Sequence, residues 1–138
     1  MSQLFIEQIR PELTWRLRQE VLYPQQHLAE MKMDEDTNGI HFGAFLNSKL
    51  IGVVSLFQND KDFQFRKFAV DPGLQKQGIG STMLQYITDF AITEGGSRLW
   101  CNARLSAIKF YTRAGFTQTG NFFNRGGFDY EILQKALQ

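Results

Sequence analysis

The chain has little of several residues that often mark a functional class. Its 138 residues include one cysteine and two histidines, and 15 basic against 14 acidic side chains leave a formal charge of +1. A single cysteine, Cys101, cannot form an internal disulfide or a cysteine-rich zinc site, and two isolated histidines predict no metal centre. The almost balanced charge argues against a nucleic-acid-binding protein, which usually carries a basic excess.

Long apolar stretches and targeting signals are also missing. The longest apolar run, Ile51 to Phe57, is far shorter than the roughly 20 residues of a transmembrane helix. The N-terminus, Met1 to Leu4, has no basic segment followed by an apolar one, which is how a secretory signal begins. No proline- or serine-rich linker divides the chain. We therefore expect one soluble, cytoplasmic domain over residues 1–138, without nucleic-acid or membrane partners.

The hydrophobic pattern predicts an α/β domain with a mixed sheet. Apolar residues make up 43% of the chain, including 13 phenylalanines, which is enough for one core. Alternating periods predict strands near residues 4–9, 41–46, 50–57, 63–70, 98–102, 116–123 and 128–133. Helical periods predict helices near 11–22, 79–91 and 105–114, with a short helix over 26–33 left open. On the strand over 63–70, the side chains expected to share one face are Gln64, Arg66, Phe68 and Val70.

The most informative segment joins that strand to the next helix, from Val70 to Thr82. A helix N-terminus offers unpaired backbone N–H groups and the positive end of the helix dipole. Gly78 and Gly80 remove side chains where a phosphate would approach the backbone. No Asp or Glu occurs from Gln75 to Thr88, although acidic residues are favoured in a first helical turn. The segment predicts a site for an anionic ligand, and glycines that serve only a tight turn are the alternative.

Two motifs carry a family resemblance. The pattern Gln75-x-x-Gly78-x-Gly80, after a strand that ends Phe68-Ala69-Val70, resembles the acetyl-CoA signature of the GNAT acetyltransferase superfamily. A second block, Ala107 to Phe116, resembles the A-x-x-F-Y-x-x-x-G-F segment of the same family. The resemblance covers nearly the whole chain. It implies a GNAT-type fold, with a mixed, mostly antiparallel central sheet that is flanked by helices and splayed at the acetyl-CoA cleft.

The resemblance also implies an activity and a set of site residues. The activity is acetyl transfer from acetyl-CoA, without a metal, to a primary amine of a small molecule, by direct attack on the thioester. Tyr111 is implied as the catalytic acid that protonates the leaving thiolate, with a packing role as the alternative. A backbone N–H of residues 68–70 is the implied oxyanion donor. The residues implied to bind acetyl-CoA are Phe68, Ala69, Val70, Gln75, Lys76, Gln77, Gly78, Ile79, Gly80, Ser81, Asn102 and Lys109.

The sequence departs from the family pattern at the position of the catalytic general base. Gln64 stands where some members have a general-base glutamate, and an amide cannot take the proton. The alternatives left open are a water chain, the substrate itself, His41, Glu30 and Asp129. Arg66 suits a carboxylate-bearing substrate, or else pairs with a neighbouring acid. The acceptor site is expected from residues 21–36 and from the C-terminal hairpin.

Two other functions stay open. One is an acyl-CoA-binding sensor or scaffold without turnover, which Gln64 slightly favours and Tyr111 disfavours. The other is a protein lysine or N-terminal acetyltransferase, which would need an open peptide groove. A homodimer also stays open. Cys101 is expected to be a buried core thiol. The aromatic residues Phe122, Phe123 and Phe128 are expected to fill the core, with capping of the cleft as the alternative.

Overall fold

Seven strands form one mixed sheet. The computed structural model describes residues 3–137, so the interpretation of Met1 and Ser2 lies outside the described residues. The strand order is β1-β2-β3-β4-β5-β7-β6, in which β4 and β5 are parallel and the pairs β1–β2, β2–β3, β5–β7 and β6–β7 are antiparallel. This confirms the predicted mixed, mostly antiparallel sheet. The strands are β1 (Leu4–Ile9), β2 (Ile40–Leu46), β3 (Lys49–Asn59), β4 (Asp62–Val70), β5 (Arg98–Arg104), β6 (Thr117–Arg125) and β7 (Phe128–Ala136).

The helices match the predicted positions but not always the predicted type. The α-helices are α1 (Trp15–Leu17), α2 (Ile79–Thr93) and α3 (Ile108–Arg113). A 3-10 turn at Pro11–Thr14 precedes α1 and a π-helical turn at Arg18–Leu22 follows it, so the helix predicted over 11–22 is irregular. Two further 3-10 turns, Leu28–Met31 and Asp34–Asn38, replace the short helix that was left open.

The described chain divides into two compact units. The first holds residues 3–57 and 65–87, and the second holds residues 58–64 and 88–137. Among these residues, no helix is long and apolar enough to cross a membrane.

The first unit packs helices against strands through small residues. The β2–β3 hairpin turns at Asn47 and Ser48, whose φ angles of 51° and 70° suit a tight two-residue hairpin turn. Gly52 lies so close to α2 that a Cβ on it would stand 2.7 Å from the Met83 sulfur, so a larger residue would require the Met83 side chain to shift. The fully buried apolar side chains of this unit include Leu17, Ala44, Val53, Val54, Leu56, Met83 and Ile87.

The second unit is built on β5 and β7. These strands pair along their whole length, from Arg98 opposite Ala136 to Arg104 opposite Tyr130. The β6–β7 ladder is irregular between Gln118 and Phe122. The buried side chains of this unit include Leu99, Cys101, Ala103, Tyr111, Phe116, Leu133 and Leu137.

Candidate functional site

The loop between β4 and α2 is held by hydrogen bonds from its own side chains. The Asp71 carboxylate accepts from the Gly73 N–H at 3.0 Å, and the Gln75 side-chain amide donates to the Val70 carbonyl at 2.9 Å. The Gln75 side chain therefore turns back to the strand and fixes the loop that follows it. The side chain of Gln75 therefore has a structural role. Only its backbone is available to bind a ligand.

The three residues after Gln75 are exposed and present unpaired backbone groups. Lys76 and Gly78 have φ angles of 65° and 85°, in the left-handed region that favours glycine. Among the described residues, the N–H groups of Lys76, Gln77 and Gly78 have no backbone acceptor. A Cβ on Gly78 would meet no atom within 4 Å, so the space beside this loop is open. Successive free N–H groups in such a loop form a cradle for an anion.

Helix α2 begins directly after this loop. Its first turn carries no acidic side chain, and Thr82 uses its N–H and its hydroxyl on the Gly78 carbonyl, at 3.0 and 2.9 Å. The Ile79 side chain is buried, whereas Gly80 is half-buried and Ser81 is exposed. The helix dipole and the free N–H groups of the first turn add to those of the loop. These residues fit the pyrophosphate of acetyl-CoA, because they offer backbone donors, no negative charge and room.

Strand β4 contains a residue in a left-handed conformation. Lys67 has a φ of 56°, which is uncommon for a residue with a long side chain and is typical of a β-bulge. The Phe65 and Phe68 rings lie edge to face with centroids 6.1 Å apart. Residues three apart in a regular strand point to opposite faces, so this contact shows that Lys67 shifts the alternation by one residue.

The shift changes which residue of β4 faces α1. Ala69 is buried against Leu17 of α1 and Val53 of β3. The prediction that Phe68 and Val70 share a face with Arg66 is therefore wrong, because Ala69 takes that place after the bulge.

A contact across the first unit supports the bulge. The Lys67 ammonium donates a hydrogen bond to the Tyr23 hydroxyl and lies 4.4 Å from the centroid of the Tyr23 ring. Tyr23 directly follows the π-helical turn Arg18–Leu22. A left-handed conformation costs a non-glycine residue about 1–2 kcal/mol, and this contact helps to offset that cost.

Arg66 extends from β4 to the 3-10 turn Asp34–Asn38. Its Nη1 lies 2.9 Å from Oε2 of Glu35, and its guanidinium carbon lies 5.7 Å from the centroid of the Phe57 ring. The side chains of Arg66 and Glu35 are 28% and 56% exposed. The hydrogen bond and the charge of Arg66 lower the pKa of Glu35, so this carboxylate is ionised at neutral pH. Of the two alternatives for Arg66, this structure contains the pairing with a neighbouring acid.

A fully buried ionic network lies in the same unit, and sequence analysis missed it. Arg18 donates from Nη1 to Oδ2 and from Nη2 to Oδ1 of Asp36, both at 2.9 Å. Arg18 also donates to the Met31 carbonyl at 3.0 Å and to the Ser55 hydroxyl at 2.9 Å. Nδ1 of His41 lies 2.7 Å from that hydroxyl, and its Nε2 lies 2.8 Å from the Asp36 carbonyl.

The Asp36 carbonyl fixes one proton of the histidine. A carbonyl oxygen can only accept, so Nε2 of His41 carries the proton of that contact, while Nδ1 is engaged with the Ser55 hydroxyl. His41 is only 2% exposed and both of its nitrogens are engaged. It therefore has no free lone pair for an acceptor amine, unlike a general base.

A pocket of about 460 Å³ borders the network. The polar side chains of Asp36 and His41 in its wall are engaged within the protein. Among the described residues, no three His, Cys, Asp or Glu side chains converge as metal ligands would. The pocket is lined by Gln8, Ile9, Arg10, Pro11, Asp36, Thr37, Gly39 and His41.

Tyr111 lies in an aromatic cluster of the second unit. Its ring contacts Phe110 and Phe116 at centroid distances of 5.1 and 5.9 Å, and 9% of the residue is exposed. Burial, with a smaller contribution from the nearby Cys101, raises the pKa of the Tyr111 hydroxyl. The phenol therefore stays protonated at neutral pH, which is the state that a proton donor needs.

The other residues that sequence analysis placed at the site in this unit are more exposed. Asn102 is half-buried on β5, and it shares a face of that strand with Arg104, since both alternate with buried residues. The Arg104 guanidinium carbon lies 3.8 Å from the centroid of the Phe128 ring. Lys109 is exposed on α3, as expected for a side chain that reaches solvent or an anionic ligand.

The remaining predictions for this unit have mixed outcomes. Cys101 is 2% exposed, and burial raises the pKa of its thiol to about 12, which confirms a buried core thiol. Phe122 and Phe128 are 63% and 38% exposed, so the prediction that they fill the core is wrong. Phe123 stacks on Tyr130 at 5.1 Å.

Sequence analysis gave no sign of a buried carboxylate in β7. Glu131 is 1% exposed and accepts from the Gln118 side-chain amide and the Gly120 N–H, both at 2.9 Å. Gly120 has a φ of 80° within the irregular part of β6. The carboxylate thus holds the irregular strand in place. In β7 the sequence pattern predicts alternating buried and exposed side chains, and a glutamate at this position is expected to be exposed.

The chain matches a protein-family model over most of its length. The model for the acetyltransferase (GNAT) family matches residues 6–116. A curated relative, the uncharacterized N-acetyltransferase YitI of Bacillus subtilis (strain 168), is 27% identical over 145 residues, which cover 98% of this chain and 97% of that protein.

Solved structures resemble the whole fold. An IAA acetyltransferase from Bacillus cereus ATCC 14579 matches with a TM-score of 0.78 and 21% identity, over 98% of this chain and 100% of its own. A GNAT family acetyltransferase from Elizabethkingia anophelis with acetyl-CoA bound matches with a TM-score of 0.78 and 19% identity, over 97% of this chain and 98% of its own. These likenesses concern the fold.

Proposed function

Because the chain belongs to the acetyltransferase (GNAT) family, we propose that it transfers the acetyl group of acetyl-CoA to a primary amine of a small molecule. The family confirms the enzyme class that the sequence motifs imply. We propose three further points: which donor binds at this site, which acceptor is used, and which residues act on them. A cytoplasmic location is part of it, since a free thiol such as Cys101 stays reduced there.

The observation that carries the proposal is the anion cradle at residues 75–81. Its features are the unpaired N–H groups of Lys76, Gln77 and Gly78, the open space at Gly78 and a first turn of α2 without acidic residues. An anion at a helix N-terminus is stabilised by backbone N–H groups that point towards it and by the helix dipole, and needs no basic side chains. This explains how a chain with a formal charge of +1 can hold a ligand as anionic as acetyl-CoA.

Acetyl-CoA supplies an acetyl group that is activated as a thioester. In the proposal, the backbone of residues 68–70 lies along its pantetheine arm, and the cradle holds its pyrophosphate. A backbone N–H of the same stretch stabilises the oxyanion. Asn102 and Lys109 complete the set of donor-binding residues. The shifted alternation at Lys67 bears on this role, since a β-bulge redirects the N–H groups of its strand.

Tyr111 is proposed to protonate the thiolate of CoA as it leaves. The raised pKa of its hydroxyl keeps the proton in place until a negative charge develops nearby. Gln64 cannot serve as the base, and His41 is engaged in the buried network. We therefore propose that the amine reaches the thioester after losing its proton to water.

Two measurements test the proposal. Isothermal titration of the full chain with acetyl-CoA is expected to give binding at tens of micromolar or tighter, and absence of binding at that level contradicts it. Mass spectrometry of a panel of amines incubated with acetyl-CoA is then expected to show N-acetylated products. Binding without any product would favour the sensor over the enzyme, and products found only on protein lysines or N-termini would favour a protein acetyltransferase.

A further inference from the structure

Arg66 and Glu35 form an ion pair on the face of β4 that turns towards the 3-10 turn Asp34–Asn38. Their 2.9 Å contact is one hydrogen bond, from Nη1 of the guanidinium to Oε2 of the carboxylate. A guanidinium has five N–H donors and binds a carboxylate best through two parallel hydrogen bonds. The pair therefore uses only one of the hydrogen bonds that it could form, and both partners are partly exposed to solvent.

The ion pair is exposed and easily exchanged. An exposed ion pair contributes little to stability, because water and salt screen it and long side chains lose entropy in forming it. Both partners nevertheless lie beside residues that make further contacts. Glu35 precedes Asp36, whose carboxylate is anchored by Arg18, and Arg66 lies over the Phe57 ring and precedes the bulge residue Lys67.

We infer that Arg66 and Glu35 receive the two charged ends of a zwitterionic acceptor, so that the substrate class is a small amino acid. This inference rests on the proposed acetyl transfer. The ligand carboxylate takes the free donors of Arg66, and the ligand ammonium takes the oxygens of Glu35. A ligand with both charges replaces one ion pair with two and leaves no charge unpaired.

Charge complementarity separates this ligand from other amines. A simple amine or a polyamine finds Glu35, but it leaves the cationic Arg66 beside a second positive charge. A dicarboxylate finds Arg66 but repels Glu35, whose lowered pKa keeps it ionised. A zwitterion satisfies both.

The reaction itself changes the fit of the ligand. The amine loses a proton, its nitrogen forms a bond with the acetyl carbon, and the bond between that carbon and sulfur breaks. The products are a neutral amide, the CoA thiol and one proton released from the original ammonium to solvent. The acetylated amino acid has kept its carboxylate but has lost the cation that paired with Glu35, so it binds less tightly than the substrate and leaves.

The test is a matched panel of acceptors with the full chain and acetyl-CoA. Each of several α-amino acids is compared with its decarboxylated amine and its carboxamide, by mass spectrometry of the acetylated product. We expect the best amino acid to exceed its decarboxylated partner at least tenfold in kcat/KM. Arg66→Gln is expected to remove this preference, because it raises KM for amino acids and relieves the charge repulsion that decarboxylated amines meet beside Arg66.

The chain offers a matched control in a second exposed ion pair. Arg16 contacts Glu20 at 3.1 Å, and their side chains are 45% and 51% exposed. Arg16→Gln removes an exposed cation from the same unit, and we expect it to leave the preference unchanged. Glu35→Gln is expected to raise KM for amino acids, because it removes the partner of the ammonium.

The outcomes are distinct. Equal or better turnover of decarboxylated amines, amides or polyamines by the wild-type chain overturns the inference and leaves the acetyltransferase proposal standing. So does an equal loss on all acceptors in Arg66→Gln, which would mark Arg66 as structural. If acetyl-CoA binds and no amino acid is acetylated, the inference is also overturned. Failure to bind acetyl-CoA contradicts the proposed function itself.

Discussion

Arg18 and Asp36 form a bidentate ion pair that is fully enclosed by the protein, although 18 residues separate them in the chain. Both nitrogen–oxygen distances are 2.9 Å, and the side chains are 1% and 4% exposed. The pair joins the π-helical turn to the 3-10 turn Asp34–Asn38. Because Tyr23 follows the first turn and Glu35 lies in the second, the pair positions two side chains that contact β4.

Replacing Asp36 with asparagine should destabilise the protein strongly. Asp36→Asn leaves the buried guanidinium of Arg18 without its counter-charge, and breaking a buried ion pair in this way costs about 3–5 kcal/mol. The measurement is the free energy of unfolding from urea titration. Glu35→Gln is the control at the next residue, where an exposed side chain is expected to change stability by about 0.5 kcal/mol or less. Equal losses of unfolding free energy in the two variants would show that burial does not make the Arg18–Asp36 pair more important for stability than an exposed one.

The Asp36 carboxylate should also make the free energy of unfolding depend on pH in the acidic range. Burial raises the pKa of Asp36, but the hydrogen bonds from Arg18 and the Met33 N–H and the charge of Arg18 lower it more, so the net pKa lies below its ordinary value of 3.8. A lowered pKa in the folded state means that the stabilisation is complete above pH 3.8 and is lost as the pH falls further. The stability gap between wild type and Asp36→Asn is expected to be constant from pH 7 to pH 5 and to narrow below pH 4, as followed by circular dichroism in urea. A gap that stays the same down to pH 3 would contradict this.

Adding a carboxylate at the cradle should weaken binding of acetyl-CoA. Gly78→Asp places a negative charge beside the unpaired N–H groups, and we expect the Kd for acetyl-CoA to rise at least tenfold by calorimetry. Gly95→Asp is the matched control, because Gly95 has nearly the same φ, 82° against 85°, and similarly open surroundings. Its Kd is expected to stay within a factor of two. Gly78→Asn separates charge from bulk, and a loss as large as that of Gly78→Asp would mean that bulk alone is responsible.

Removing the Tyr111 hydroxyl should slow turnover without weakening donor binding. A positioned proton donor contributes a rate factor of about 100 or more, so Tyr111→Phe is expected to lower kcat about that much while Kd for acetyl-CoA is unchanged. Tyr86→Phe is the control on an exposed tyrosine. Because burial raises the pKa of Tyr111, its titration should not set the basic limb of the pH–rate profile below pH 10. Parallel losses in kcat and in donor affinity would mark Tyr111 as a packing residue.

The buried glutamate of β7 should control the order of β6. Glu131→Gln turns one acceptor oxygen into an amide that faces a donor, either the Gln118 amide or the Gly120 N–H, and an unsatisfied buried group costs about 1–3 kcal/mol. Hydrogen exchange is expected to quicken across residues 117–122. Asp129→Asn, which changes an exposed carboxylate two residues away, should leave exchange there unchanged. Loss of protection in both variants would point to a general effect of charge.

Local patterns were enough to predict the positions of the strands and the mixed character of the sheet, and to single out the loop before α2. The alternation along β5 and the helical period after Gly78 are properties of adjacent residues, and the loop motif needs only backbone groups and the absence of bulk. The bulge at Lys67 was not predictable, because lysine has no preference for a left-handed conformation and its support, Tyr23, lies 44 residues away. That one residue reversed the expected orientation of Phe68.

Charged residues were the other limit of prediction. Arg18 and Glu131 look like surface side chains in the sequence, and they can be buried because residues elsewhere in the chain supply hydrogen-bond partners. Arg66 was predictable in part. Its place in β4 and its two alternatives followed from the sequence, but the partner that it actually has, Glu35, came from the path of a 3-10 turn that no local pattern predicts.

The burial of Cys101 has a practical consequence for kinetic work. It is the only cysteine of the chain, and its thiol is enclosed, with a pKa raised to about 12. Thiol-reactive dyes attack thiolates, so the folded protein should be almost silent towards them at neutral pH. Any colour that develops with such a dye during turnover then reports CoA released from the donor, and initial rates can be recorded continuously without a correction for the enzyme.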